Sequence, residues 1–210
     1  MSPKFGRLLP LLLVALLPAC SSIQPAASVS DPVRVRLYDD RFDQLAVLSS
    51  WSIAGRLAVS NDKDGGSGTF NWKKSSAANR MNFHGALGRG AWKLHSDEKG
   101  AELELADGTL HRADSIDQLV RLKVGWEIPV NQLSWWVLGL AAPGAFEQRA
   151  IDEQGNLSEL LQDGWVIEYG KYREFDGFSL PVRLTARQDH WKVKLAIRDW
   201  ELAEESDLRE

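Results

Sequence analysis

Four histidines, His84, His95, His111 and His190, and a single cysteine, Cys20, are the side chains best suited to metal ligation or nucleophilic chemistry in this chain. The histidines fall on different predicted strands or turns and lack metal-ligand spacing. His84 and His95 could meet only if their strands pair, and then as a cross-strand pair of polar residues. Glu102 and Glu104 share one strand face, which suggests paired carboxylates. Their alternation with Leu103 and Leu105 makes that face a solvated one. Gly65-Gly66-Ser67-Gly68 is rich in glycine, but no helix follows it, so it is not a phosphate loop. No G-x-S-x-G elbow occurs. The sequence thus offers no catalytic constellation, no metal set and no cofactor motif. It does not read as an enzyme.

Cys20 has a different chemistry. Lys4 and Arg7 precede an almost continuously aliphatic run over 8–17, and Leu17-Pro18-Ala19 leads from that run to the thiol. A charged start, a short apolar core and a small-residue exit mark a secretory signal. The run is well below the roughly 18 residues of a spanning helix. A sole cysteine directly after such an exit resembles a bacterial lipobox, which implies diacylglyceryl transfer to Cys20, cleavage before it and acylation of the new amino terminus. Residues 1–19 are then the signal, and 20–30 a lipidated tether. Ser21 after the cysteine resembles the outer-membrane sorting class. Small, polar and without periodicity, about ten tether residues reach roughly 35 Å when extended, enough to clear the headgroups.

With the signal removed, about 190 residues remain, enough for one domain with a substantial core. A formal net charge of -4 and a pI near 5.6 argue against a nucleic-acid partner, which needs a basic stripe. No cysteine pair is available for a disulfide, so stability must come from burial. Nine tryptophans stand against three tyrosines. Each can bury roughly 200 Å². They serve either a large core or an interior lined with broad rings that admits a guest.

Asp31-Pro32 reads as an N-cap followed by proline at the first helical position. Leu37, Arg41, Leu45 and Leu48 then recur at helical spacing, which predicts a helix over 32–48. From Trp51 the period changes to two. Trp51, Ile53, Gly55, Leu57 and Val59 alternate with small or polar neighbours, as in a half-buried strand. Residues 61–68 form a turn cluster, and strands follow near 69–73, 80–86, 91–96, 101–106 and 109–112. Asp107-Gly108 is a strong two-residue hairpin signal. Asp114 can cap a short helix over 115–123 with Gly125 past its end, and Pro129 opens another that ends at Gly139. Strands resume near 146–151, 157–161, 165–173, 181–187 and 191–200. Residues 203–210 are an acidic tail. Ten or eleven antiparallel strands in one domain must dispose of their edges, and a strongly curved sheet closed or plugged by the helices does so.

One loop does not look structural. Gly85-Ala86-Leu87-Gly88-Arg89-Gly90 joins two predicted strands and carries Leu87 among glycines. An apolar tip costs solvation unless it folds back onto the sheet or meets an apolar phase.

Trp51 with Gly55-Arg56-Leu57, Trp72 after a glycine-rich turn, and Gly85-Ala86-Leu87-Gly88 follow one another along the chain. Gly125-Trp126 with Ile128-Pro129-Val130, Leu133 with Trp136, Gly139-Leu140, Gly164-Trp165, Leu180-Pro181 and Ile197 with Trp200 come after them. In order and spacing these residues resemble the LolB family of outer-membrane lipoprotein receptors, across almost all of 31–202. The resemblance implies an incomplete, unclosed antiparallel β-barrel of about eleven strands, covered by three short helices around an apolar cavity. It also implies an outer-membrane anchor facing the periplasm, a LolA-like periplasmic carrier as partner and triacylated lipoprotein as cargo. The lipid anchor would sit in the inner leaflet of the outer membrane, and a protruding apolar loop, carried here by Leu87, would help place the cargo in the membrane. The chain would act as a monomer with no nucleic acid. Inward phasing of apolar residues selects Trp51, Trp72, Phe83, Trp92, Leu94, Trp126, Leu133, Trp136 and Ile167 as candidates for the acyl-chain cavity. The competing reading is a structural envelope lipoprotein that scaffolds other proteins, and it predicts a solid core.

Overall fold

Alternating apolar and polar residues build eleven antiparallel strands in a single sheet. The structure, a computed structural model, describes residues 31–48, 50–85 and 90–203. Cys20, Leu87, the signal, the tether and nearly all of the acidic tail lie outside the described residues.

The strands are β1 (Ser50–Ser60), β2 (Gly65–Lys74), β3 (Asn79–Gly85), β4 (Trp92–Asp97), β5 (Gly100–Leu105) and β6 (Leu110–Ala113). They continue as β7 (Gln148–Ile151), β8 (Leu157–Gln162), β9 (Trp165–Phe175), β10 (Phe178–Gln188) and β11 (Trp191–Ala203). Their spatial order is β6-β5-β4-β3-β2-β1-β11-β10-β9-β8-β7. The first and last strands therefore pair at the middle. The edges are β6 and β7, which are neighbours in sequence but not in the sheet. The segment between them must bridge the opening, and it is helical. It holds α2 (Ile116–Leu119), a π-helical turn over Val120–Val124, and α3 (Val130–Trp136). The result is an unclosed antiparallel barrel with helices across it, as the family resemblance implies.

Helix α1 (Pro32–Ala46) precedes the sheet and packs near β7. Asp31 accepts from the Val33 amide at 2.9 Å, capping its start. The polar residue on its predicted apolar stripe has a purpose. Arg41 donates to the carbonyls of Leu138 (2.9 Å), Gly139 (3.3 Å) and Ser179 (2.7 Å), tying α1 to the end of α3 and to β10. Tyr38 Oη accepts from the Ala141 amide at 3.0 Å beside it.

Several boundaries differ from the sequence expectation. Residues 65–68 are strand, because Asn61 Oδ1 accepts from the amides of Lys63 (2.9 Å) and Asp64 (2.7 Å) and closes the turn early. Glycine is required at Gly68, where a Cβ would lie 2.1 Å from the His84 carbonyl oxygen. The same holds at Gly55, beside the β1–β11 bulge, where a Cβ would lie 2.1 Å from the Ala196 oxygen. Helix α1 ends at Ala46 rather than 48, and β7 starts at Gln148 rather than 146. Ser115, not Asp114, caps α2, its Oγ accepting from the Gln118 amide at 3.2 Å. Strands β3 and β4 do pair, but the register sets His95 opposite Arg80 and His84 opposite Thr69, so the two histidines do not meet. Glu102 pairs with Arg112 and Glu104 with Lys93, each across the outer face.

Candidate functional site

In a meander, alternate hairpins turn at the same end. The connections after β1, β3, β5 and β10 gather there, around a cavity of about 840 Å³. Its aromatic wall is Phe83, Trp92, Trp126 and Trp191, with Val59, Leu105 and Val124 adding aliphatic surface. Gly85 and Gly90, on either side of residues 86–89 in sequence, also line it. The mouth carries Asp64, Asp107 and Lys123. An apolar pocket with a few charges at its rim, in the roughly 300–1,000 Å³ range, suits an amphiphile with its polar end outward.

The wall is held by ring packing. Phe83 and Trp92 face each other across β3 and β4, and their rings stack with centroids 5.6 Å apart. Trp126 meets both edge-on, at 5.3 Å from Phe83 and 6.0 Å from Trp92. The local sequence puts it there. Gly125 adopts a left-handed conformation (φ 77°) and donates to the Val120 carbonyl, ending the π-helical turn so that the chain reverses. The bridge is then locked from below. Asp117 accepts from the Val130 amide at 2.6 Å and from Asn131 Nδ2 at 3.2 Å, capping α3 from α2. Burial pushes the Asp117 carboxyl above its ordinary value, while those two donors pull it down.

Of the nine cavity candidates, Phe83, Trp92 and Trp126 line this cavity. The others lie elsewhere in the same apolar interior. Trp51 packs against Trp72 (4.9 Å) and Trp200 (5.7 Å), and Phe70 joins Trp72 to Trp92 in one aromatic row. Trp136 is fully buried, donates to Gln162 Oε1 at 2.9 Å and packs on Trp165. Leu94, Leu133 and Ile167 are buried in the core. Val59, Leu105, Val124 and Trp191 line the cavity without having been singled out from sequence. Their common signal is position beside a turn at one end of the meander.

A family model described as outer membrane lipoprotein LolB matches residues 49–200. The outer-membrane lipoprotein LolB of Stutzerimonas stutzeri is 34% identical over 189 residues, covering 90% of this chain and 92% of that protein. That of Pseudomonas syringae pv. syringae is 35% identical over 192 residues, with coverage of 90% and 92%. Among solved structures, a Vibrio parahaemolyticus domain whose name refers to outer membrane lipoprotein sorting superposes with a TM-score of 0.51 at 10% identity. It covers 83% of this chain and 95% of its own, and the likeness is one of fold.

Proposed function

The chain belongs to the LolB family of outer-membrane lipoproteins, and on that premise we propose that it is the receptor that takes lipoproteins from a LolA-like periplasmic carrier and inserts them into the outer membrane. It is an outer-membrane, lipid-anchored lipoprotein, as its relatives are named. In this reading Cys20 bears the anchor, residues 21–30 are the tether, and the domain faces the periplasm. The observation that carries the reading is the open cavity of about 840 Å³ walled by Phe83, Trp92, Trp126 and Trp191. It receives the acyl chains of the cargo.

Magnitudes constrain how transfer must run. At about 0.8 kcal/mol per methylene, one palmitoyl chain exposed to water costs roughly 12 kcal/mol. Three chains cannot pass through solvent on a useful timescale. The cargo therefore moves from one apolar cavity to another by direct contact of their mouths, and then into the bilayer. No nucleotide is needed, because each step ends in a more favourable apolar environment. Volume adds a second constraint. If a methylene takes about the space of a water molecule, about 30 Å³, the cavity holds one palmitoyl chain and part of a second. A cargo with three chains widens it. The bridge of α2 and α3 spans two unpaired edges, so it is the part that gives way. Leu87, in the segment that joins Gly85 to Gly90, enters the acyl region of the membrane as cargo leaves.

The test separates the carrier from this protein by a dialysis membrane that passes neither. Cargo should move only when the proteins mix, and movement across the barrier would contradict contact transfer.

A further inference from the structure

The outer face of the sheet gathers positive charge in one place. Arg56 on β1 and Arg183 on β10 flank Ala196 of β11, two strand spacings or about 10 Å apart. In the next row towards the mouth, Lys194 lies between Ala58 and Thr185. These three cations and the small residues between them line a groove of about 310 Å³. Lys192 carries the patch to the mouth, one residue past Trp191 of the cavity wall. Lys171 carries it onto β9.

Elsewhere on the outer face, charges are matched across strands, Lys93 with Glu104 and Arg112 with Glu102. Arg56, Lys171, Arg183, Lys192 and Lys194 make no ion pair among the described residues. The acids that border the patch are Glu168, taken by Arg187, Asp199, taken by Arg198, and Glu159 beyond them on β8. Register adds to the repulsion, since Arg183 stands opposite Lys171 and Arg187 opposite Lys192. Like charges directly opposite on a sheet are destabilising. A chain with a net charge of -4 has acids enough to avoid this. Five uncountered cations kept together against that cost call for an anionic partner.

Two observations choose which. A protein partner needs apolar or aromatic anchors at the centre of its interface. The large apolar residues that the described surface exposes, Val33, Leu37, Val47, Leu110, Leu122 and Phe146, all lie off this face. The anchor gives the second. Ten tether residues hold the domain within about 35 Å of the bilayer, so headgroups are the anionic surface always within reach. We propose that this face docks on anionic phospholipid headgroups of the outer membrane, with a lipid phosphate seated between Arg56, Arg183 and Lys194. Docking brings the mouth, which Lys192 adjoins, down to the headgroups that cargo must pass. The inference rests on the lipid anchor at Cys20 and not on what fills the cavity, so the two readings fail separately.

The test reconstitutes the acylated full chain in vesicles of neutral phosphatidylcholine, or of phosphatidylcholine with equimolar anionic phosphatidylglycerol. Brief acetylation by a water-soluble reagent, read by mass spectrometry, reports the access of each lysine. On anionic vesicles Lys171, Lys192 and Lys194 should label about fivefold more slowly or less, while Lys73 and Lys99 keep their rates. Salt at about 1 M should abolish the difference. Replacing Arg56 and Arg183 together by Gln should weaken docking about 25-fold and restore labelling of Lys192, since each cation near an anionic surface contributes about fivefold. Equal labelling on the two kinds of vesicle would overturn the inference. Protection that appears only when the periplasmic carrier is added would give this face to a protein and overturn it as well. Failure of the chain to float with neutral vesicles would overturn the anchor, and this inference with it.

Discussion

Phe83 and Trp92 form the last registered pair between β3 and β4, and their rings stack at 5.6 Å with planes 20° apart. The same pair is the wall on which Trp126 rests. One contact thus joins three parts of the proposed machine: the strand ends that flank residues 86–89, the cavity, and the helical bridge.

The cavity can be filled without disturbing that contact. Gly66 lines it, and a Cβ there would meet only Trp126 Cζ2, at an ordinary 3.7 Å. Gly66→Leu should keep the fold and weaken acyl-probe binding on the order of tenfold, about 1.4 kcal/mol. Titration of a hydrophobic dye with lipopeptide competitor checks this. Unchanged affinity would place the chains elsewhere.

Stability has a different centre. Gln162 is fully buried; its Oε1 accepts from Trp136 Nε1 (2.9 Å) and the Ala142 amide (2.9 Å), and its Nε2 donates to the Ala142 carbonyl (2.8 Å). Gln162→Leu is close in size but strands these three groups and the Ala145 carbonyl, to which Nε2 also donates at 3.3 Å. Urea unfolding should show a loss of about 3 kcal/mol or more.

The bridge should carry a pH signature. Burial raises the Asp117 carboxyl above its ordinary value of 3.8. The folded state therefore holds this proton more tightly than the unfolded chain does. Between the two values, stability falls as pH rises. Asp117→Asn keeps an oxygen acceptor for the Val130 amide and removes the charge. Thermal unfolding of the two proteins from pH 3.5 upward should show the variant gaining on the wild type as the carboxyl ionises. A variant that loses ground over that range would contradict this assignment.

The Leu87→Glu variant should still accept cargo from the carrier yet deliver it poorly to liposomes. A leucine moved into hydrocarbon gains roughly 1.5–3 kcal/mol, so its loss should slow insertion about tenfold or more. Liposome flotation of labelled cargo measures the yield. Undiminished delivery would remove Leu87 from the mechanism.

Much of this was legible in the residues. Period-two alternation from Trp51 placed the hairpins, and Asp31-Pro32, Gly125 and Pro129 marked helix ends that the structure keeps within a few residues. Periodicity identifies which side of a strand faces inward, but not how far along the strand a cavity begins. Trp51 and Trp92 have the same inward phase. Trp51 packs against Trp72 and Trp200 in the interior, and Trp92 opens onto the mouth. Assigning alternate turns to opposite ends of the meander would have singled out Val59 and Trp191. Gly65 to Gly68 misled for a physical reason, because glycine serves close strand approach as readily as it serves a turn. The role of Arg41 could not be read from helical spacing, since the carbonyls it binds come from residues 138, 139 and 179, nearly a hundred positions or more away in sequence.

The most direct measurement is photo-crosslinking of the full chain with a lipopeptide whose palmitoyl chain carries a terminal diazirine, followed by mapping of the adducts. Adducts concentrated on Phe83, Trp92, Trp126 and the residues beside them would show the tail inside the cavity. Adducts scattered over the outer faces of the sheet, with those rings unlabelled, would contradict the account.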